Sequence, residues 1–315
     1  MTVADVIVGY DEYVQRKLAL VMRTGLNVKP RECGLFDHQR VLVEWALRRG
    51  CAAIFADTGL GKSRMQLAWA DAVHLATGRD VLILAPLAVA AQTVAEGAEI
   101  GVQVTHCREA EDVRPGVNII NYDRLHKLDC SRFVGVVLDE SSVIKHQNSK
   151  TFQGLTDAFR LTPYKLCATA TPAPNDWTEL GTHAEFIGIC SRSEMLAEYF
   201  CHDGGETQVW RLKGHARHLF WHWVATWGAM IRKPSDLGFD DGRYNLPPLH
   251  VHHHTVESCM ETANEAGFLF PMEAGDLSAR RDARKQSLDA RVQAAAELVN
   301  GNDRPWIVWC DLNAE

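Results

Sequence analysis

Apolar positions between residues 35 and 50 recur at helical spacing, with Leu35, Phe36, Val41, Leu42 and Trp45 on one stripe and Gly50 as a stop. Residues 10–24 carry a similar period and predict an earlier helix. Beyond Gly50 the pattern changes to short apolar runs at 52–56, 81–85, 117–121, 134–138 and 165–169, each bounded by Gly, Pro or Asp. Segments able to form helices separate them. Uniformly apolar strands alternating with helices describe βαβ units, whose crossover helices cover both faces of a parallel sheet. The predicted fold class is therefore α/β, with a central, mainly parallel sheet flanked by helices.

From about residue 188 to 275 this rhythm breaks, and the segment is rich in Trp and His, including Trp210, Trp221, Trp223 and Trp227. It reads as an inserted helical subdomain plus linker. Leu246-Pro247-Pro248 then introduces 249–256, a predicted strand or extended connector. A helix is predicted over 278–299, with Leu288, Val292 and Leu298 on its apolar positions and Gly301 as its stop, and a final strand over 306–310. The chain thus divides into 1–187, 188–275 and 276–315.

Composition narrows the setting. The formal net charge of −7 excludes a uniformly positive surface, though a nucleic-acid groove needs only local basic residues. Nine cysteines occur without a Cys-x-x-Cys pair, and Cys51, Cys167 and Cys310 sit in apolar segments, as small core residues do in a reducing compartment. Asp5, Asp11 and Glu12 occupy the place of a secretory signal. The apolar stretch 81–91 contains Pro86 and is shorter than the about 20 residues that cross a bilayer. A cytoplasmic protein without a membrane partner is expected.

His252, His253 and His254 alternate across an extended segment, so neighbours point apart and make a poor metal cage. His215, His218 and His222 share one helix face, where a zinc site is an alternative to the preferred reading, an aromatic-rich amphipathic helix.

The run Ala56-Asp57-Thr58-Gly59-Leu60-Gly61-Lys62-Ser63 follows a predicted strand and opens a predicted helix. That is the context of a phosphate-binding loop. Gly59 and Gly61 permit close backbone approach, so the N–H groups of Thr58, Gly59, Leu60 and Gly61 and the helix terminus can surround phosphates. Lys62 reaches the β and γ groups of ATP, and Ser63 ligates magnesium. The second cluster is Val136-Val137-Leu138-Asp139-Glu140, an apolar strand ending in two carboxylates. Asp139 suits the Mg²⁺ role and Glu140 the activation of water.

With these motifs in order, the chain resembles the superfamily 2 helicases and translocases over about residues 30 to 315, and within them the Swi/Snf-like branch of phage and bacterial proteins. Leu35-Phe36-Asp37-His38-Gln39 resembles the glutamine motif, which implies that Gln39 reads adenine. Residues 56–63 match the family's phosphate loop with alanine at its first position. Ala85-Pro86-Leu87 and Asn121-Tyr122 resemble motifs lining the nucleic-acid path. Asp139-Glu140-Ser141-Ser142 is similar to the Asp-Glu-x-His box, with Ser142 in place of the commoner histidine. Ala168-Thr169-Ala170-Thr171-Pro172 resembles the motif whose hydroxyls, here Thr169 and Thr171, link nucleotide and strand sites. Ile231-Arg232-Lys233 and Leu246-Pro247-Pro248 resemble the connector between two motor domains.

The resemblance implies a RecA-like ATP-binding domain over 1–187, a helical insertion and linker, and the truncated start of a second RecA-like domain over 276–315. It further implies a hydrolase that couples ATP turnover to movement on DNA, double-stranded by preference, with Lys62, Asp139 and Glu140 catalytic. The family's arginine fingers have no counterpart here, since Arg280, Arg281 and Arg284 do not match the finger motif, so weak turnover by this chain is expected. Two alternatives stand beside it: a non-motor P-loop ATPase, and an inactive nucleotide- or DNA-binding fragment. Basic clusters at Arg211, Lys213 and Arg217 and at Arg280, Arg281, Arg284 and Lys285 suit phosphates or a solvated helix face equally well.

Overall fold

The computed structural model describes residues 25–32, 34–203, 206–256, 281, 284–285 and 287–310. The helix expected over 10–24 lies outside them. The chain forms two compact units that part between Asn245 and Leu246.

The first unit opens with α1 (Asp37–Arg49), which Gly50 ends, and continues into β1 (Cys51–Ala56), α2 (Lys62–Thr77), β2 (Val81–Ala85), α3 (Ala90–Glu99) and β3 (Val104–His106). Then come β4 (Val117–Asn121), β5 (Gly135–Asp139), α4 (Lys150–Ala158), β6 (Tyr164–Ala168), α5 (Leu180–Phe186) and α6 (Arg192–Tyr199). An antiparallel hairpin, β7 (Phe200–Asp203) and β8 (Glu206–Leu212), precedes α7 (Arg217–Trp227) and β9 (Gly228–Ile231). Seven strands form one sheet in the order β3-β4-β2-β5-β6-β1-β9, and every pairing in it is parallel.

Strand alternation explains the layers. Ala52, Ile54, Val81 and Ile83 face a core shared with Leu42 and Val43 of α1, Leu67 and Trp69 of α2, and Ala90 of α3. Their neighbours Ala53, Phe55, Leu82 and Leu84 face the opposite core, made with Phe152 of α4, Leu180 of α5, Leu196 of α6 and Phe220 and Trp227 of α7. With both faces covered, the strands are largely apolar on both sides, so the runs read as nearly continuous; two exceptions, buried Asn118 and Lys165, donate to the carbonyls of Arg114 and Gly116 and of Phe186.

The expected boundary at residue 187 does not hold. Residues 188–245 are not a separate insertion: α6 and α7 form part of one face of the sheet, and β9 extends it, with Ala53 opposite Gly228 and Ala56 opposite Ile231. Gly228 makes this pairing possible, because a Cβ there would lie 3.1 Å from the Phe55 ring. Trp223 and Trp227 of α7 are core rather than a new domain, since both are buried, and Trp227 meets Phe55 edge-on, while Trp221 packs half-buried at the margin. Nor is the segment wholly helical, as β7, β8 and β9 show.

In the second unit, residues 249–255 are exposed, Val256 is half-buried, and none of them forms a ladder, leaving the extended-connector reading. The later half of the expected helix is α8 (Leu288–Asn300). The strand expected over 306–310 is absent: these residues are exposed coil, because extended backbone becomes a strand only when a neighbour satisfies its N–H and C=O groups. Among the described residues no helix is long and apolar enough to cross a membrane.

Candidate active site

The candidate phosphate loop, residues 56–63, begins where β1 ends. Asp57 donates its N–H to the Ile231 carbonyl at 3.0 Å, so the missed strand β9 anchors the loop's first residue. Gly59 and Gly61 take φ of 85° and 77°, left-handed conformations that glycine adopts without steric cost. They turn the chain into α2, whose first residue is Lys62, so the free N–H groups of that helix end point into the loop. Leu60 is buried beneath it, and the Thr58 N–H binds the Asp57 carboxylate at 2.7 Å. Lys62 Nζ folds back to the carbonyls of Ala56 at 3.1 Å and Asp57 at 3.4 Å, spanning the loop from the inside. Ser63 follows in the first turn of α2.

Gln39 braces this loop. Its Nε2 donates to the Leu60 carbonyl at 2.9 Å and its Oε1 accepts from the Phe36 N–H at 3.0 Å, and the side chain is 1% exposed. Beside it, Phe36, His38 and Tyr244 make an aromatic cluster, with the Arg243 guanidinium 5.2 Å from the Phe36 ring centre.

The carboxylates arrive at the end of β5. Asp139 is 8% exposed and accepts from Gln66 Nε2 at 2.6 Å. Gln66 lies three residues after Ser63 on α2, and residues so spaced share a helix face. The contact therefore joins the helix of the phosphate loop to the acidic strand end. Burial raises the Asp139 carboxyl above its usual range, against the Gln66 hydrogen bond and the charge of Lys62. Tyr122 donates its hydroxyl to the Asp139 carbonyl at 2.6 Å, and burial holds that phenol well above its normal pKa.

Glu140 sits in a left-handed turn at φ 50° and ψ 53°, and its carboxylate accepts from Thr169 Oγ1 at 3.1 Å. Thr169 also receives the Thr171 N–H at 3.1 Å and gives its own N–H to Ile54. Hydrogen bonds thus join Asp139, Glu140, Tyr122, Thr169 and Thr171 at the carboxyl ends of the parallel strands, where ligands of open α/β sheets bind. Pro86 follows β2 and Asn121 ends β4 on the same edge, and Asn121 Oδ1 is buried without a partner.

Two buried residues in this network were not anticipated. Gln66 had a readable signal, its spacing from Ser63. His183 had none: it lies on α5, and its Nε2 is 3.1 Å from Ser141 Oγ.

On α7, Nε2 of His218 and of His222 approach to 3.1 Å beside His215, but among the described residues no three metal-capable side chains converge. The helix is amphipathic and aromatic, with Trp221 meeting Trp177 edge-on at 4.9 Å. In the nearby basic cluster, Lys213 donates to the Ala197 and Glu198 carbonyls that end α6.

No protein-family model matches the chain, and no curated protein sequence matches it either. Solved structures do. The SWI2/SNF2 ATPase core of Sulfolobus solfataricus in complex with dsDNA superposes with a TM-score of 0.55 at 16% identity, over 69% of this chain and 48% of that one. The same organism's SWI2/SNF2 ATPase core domain gives a TM-score of 0.52 at 17% identity, over 73% and 48%. The chain spans about half the length of the solved proteins it matches. Its fold, a parallel sheet flanked by helices on both faces, is the RecA-like α/β fold that these two ATPase cores share.

Proposed function

We propose that the first unit is the ATP-binding domain of a nucleic-acid-dependent ATPase that couples hydrolysis to movement on DNA. The observation that carries the reading is the Gln66 to Asp139 hydrogen bond, because it sets the helix of the phosphate loop against the acidic strand end. A loop that cradles phosphate is common to many activities. A loop joined in this way to a buried Asp and a turn-mounted Glu has the groups needed for phosphoryl transfer to water.

In this reading the N–H groups from Thr58 to Gly61 and the α2 terminus receive the β and γ phosphates, with Thr58 giving up the Asp57 carboxylate, Leu60 the Asp57 carbonyl and Lys62 its two carbonyl partners for phosphate oxygens. The donor set fits Mg²⁺: Ser63 and Asp139 offer hard oxygens, and a buried carboxylate with a raised pKa is a place where a divalent charge is favoured. The ion would draw charge from the γ-phosphoryl group. Glu140, aimed by Thr169, orients water and accepts its proton. Gln39 positions the loop, and the second lone pair and second N–H of its amide are what remain to read adenine.

Support for DNA comes from the Swi/Snf-type fold and from the duplex bound by the Sulfolobus core. Pro86, Asn121, Tyr122, Thr169 and Thr171 would carry the link between nucleotide and strand, and a second motor domain would supply the arginines that speed transfer by roughly 10³ to 10⁵. The 315 residues alone should therefore bind ATP and cleave it slowly.

The test is single-turnover cleavage by the parent and Glu140→Gln proteins with duplex DNA, single-stranded DNA or RNA, with and without a second motor domain supplied in trans. The reading expects intact ATP binding and almost no cleavage in the variant, and acceleration of the parent by the second domain with duplex DNA. Equal turnover by both proteins would make Glu140 structural.

A further inference from the structure

Among the described residues Glu140 is the only non-glycine with a left-handed backbone. In that conformation an L-residue's Cβ crowds the following carbonyl, so it persists where the surroundings over-determine it. Three restraints come from residues already placed in the site or in the turn itself: Tyr122 on the Asp139 carbonyl, Thr169 on the Glu140 carboxylate, and the Val143 N–H on the Glu140 carbonyl at 3.1 Å. A fourth comes from elsewhere. Ser141, fully buried, directly follows Glu140, and its hydroxyl meets Nε2 of His183.

His183 is itself fully buried and packs edge-on against Phe55 of β1, the strand that leads into the phosphate loop, with 5.3 Å between ring centres. Its Nδ1 faces the Glu179 carbonyl one helical turn earlier, at 3.4 Å. With the Nδ1 proton directed there, Nε2 is left to accept from the Ser141 hydroxyl. Burial lowers the ring's pKa to about 4, so it stays neutral through the physiological range. The imidazole is thus wedged between the strand that feeds the loop and the turn that carries the carboxylate.

We propose that His183 is a positioning residue for Glu140, acting through the Ser141 hydroxyl to fix the direction in which the carboxylate points. The inference rests on the ATPase reading above. The contact lies on the carboxylate side of the site, so its loss should leave ATP affinity in place and slow cleavage.

The test uses the full 315-residue chain and the variants Ser141→Ala, His183→Leu and His183→Gln. ATP affinity in the presence of magnesium is measured by calorimetry and cleavage in single turnover with protein in excess, and the Ser141→Ala crystal structure is determined. Ser141→Ala and His183→Leu should bind ATP as the parent does and cleave it on the order of 10²-fold more slowly, the scale of a small misplacement of a reacting group. His183→Gln, whose amide reaches the position of Nε2, should recover most of the rate. In the Ser141→Ala structure the Glu140 carboxylate should have left Thr169. Parent rates in both variants, or rate and affinity falling together without rescue by Gln, would overturn the proposal. A parent that binds no ATP would instead defeat the ATPase reading, and the Ser141→Ala structure would then decide the positioning claim: Glu140 unchanged in φ and still on Thr169 would overturn it.

Discussion

Replacing Gly61 with alanine should damage the phosphate loop twice, and the two losses can be separated. At φ 77° an alanine carries a left-handed strain of about 1–2 kcal/mol. Its Cβ would also fall well inside contact distance of Gln39 Nε2, the atom that donates to the Leu60 carbonyl. Displacing that amide leaves a buried acceptor unsatisfied, a further cost of about 1–3 kcal/mol. The sum, about 2–5 kcal/mol, corresponds to a fall in Tm of roughly 5–15 °C for a unit of this size. Gln39→Ala alone loses the same hydrogen bond without the strain. In the double variant the bond is lost only once and the clash is gone, so its destabilisation should be smaller than the sum of the single variants by about 1–3 kcal/mol. Chemical denaturation of the parent, both single variants and the double variant measures this coupling. Additivity to within about 0.5 kcal/mol would refute the claim that Gln39 and Gly61 are packed against each other as a unit.

Asp139→Asn should raise the stability of the magnesium-free protein at pH 7, because the native state holds this carboxyl above its ordinary range and so binds its proton more tightly than the unfolded chain. The gain should vanish below the ordinary carboxylate range, where both states are protonated, and thermal melts at pH 7 and pH 3 with no gain at pH 7 would contradict it. His183 should make the fold acid-sensitive: the unfolded imidazole takes up a proton near pH 6.5 and the native one only near 4. Stability attributable to it is thus full above 6.5 and falls, by up to about 3 kcal/mol, as the pH drops to 4. The difference between parent and His183→Gln across that window measures it, and parallel pH curves would count against a buried neutral ring. If the free valences of the Gln39 amide read adenine, ATP should bind more tightly than GTP in competition, and equal affinities would leave Gln39 with the positioning role alone.

The sheet was legible because strands buried on both faces are mostly apolar at successive positions, as 81–85 and 134–138 are. Where strands are very short the signal fails: β3 has three residues and β9 four, too few for any period to register. The α7 segment misled because a helix packed between the sheet and other aromatic side chains carries Trp on more than one side, and such density reads as a domain of its own. The strand expected over 306–310 shows the reverse case, an apolar run that fits a strand but has no ladder among the described residues. The glycine turn between β1 and α2 and the carboxylate pair at the end of β5 were readable because each is set by a local run of residues. Contacts such as that of His183 with Ser141 were not, since a single histidine 42 residues away leaves no trace in spacing.

Titration of ATP into the parent chain and into Lys62→Ala, each with and without magnesium, tests the central claim most directly. The parent should bind one ATP in a magnesium-dependent manner, and the variant, without the ammonium that spans the loop, should lose most of that affinity while melting at a similar temperature. Identical binding by the two proteins, or no binding by a folded parent, would contradict the assignment of residues 56–63 as the nucleotide site.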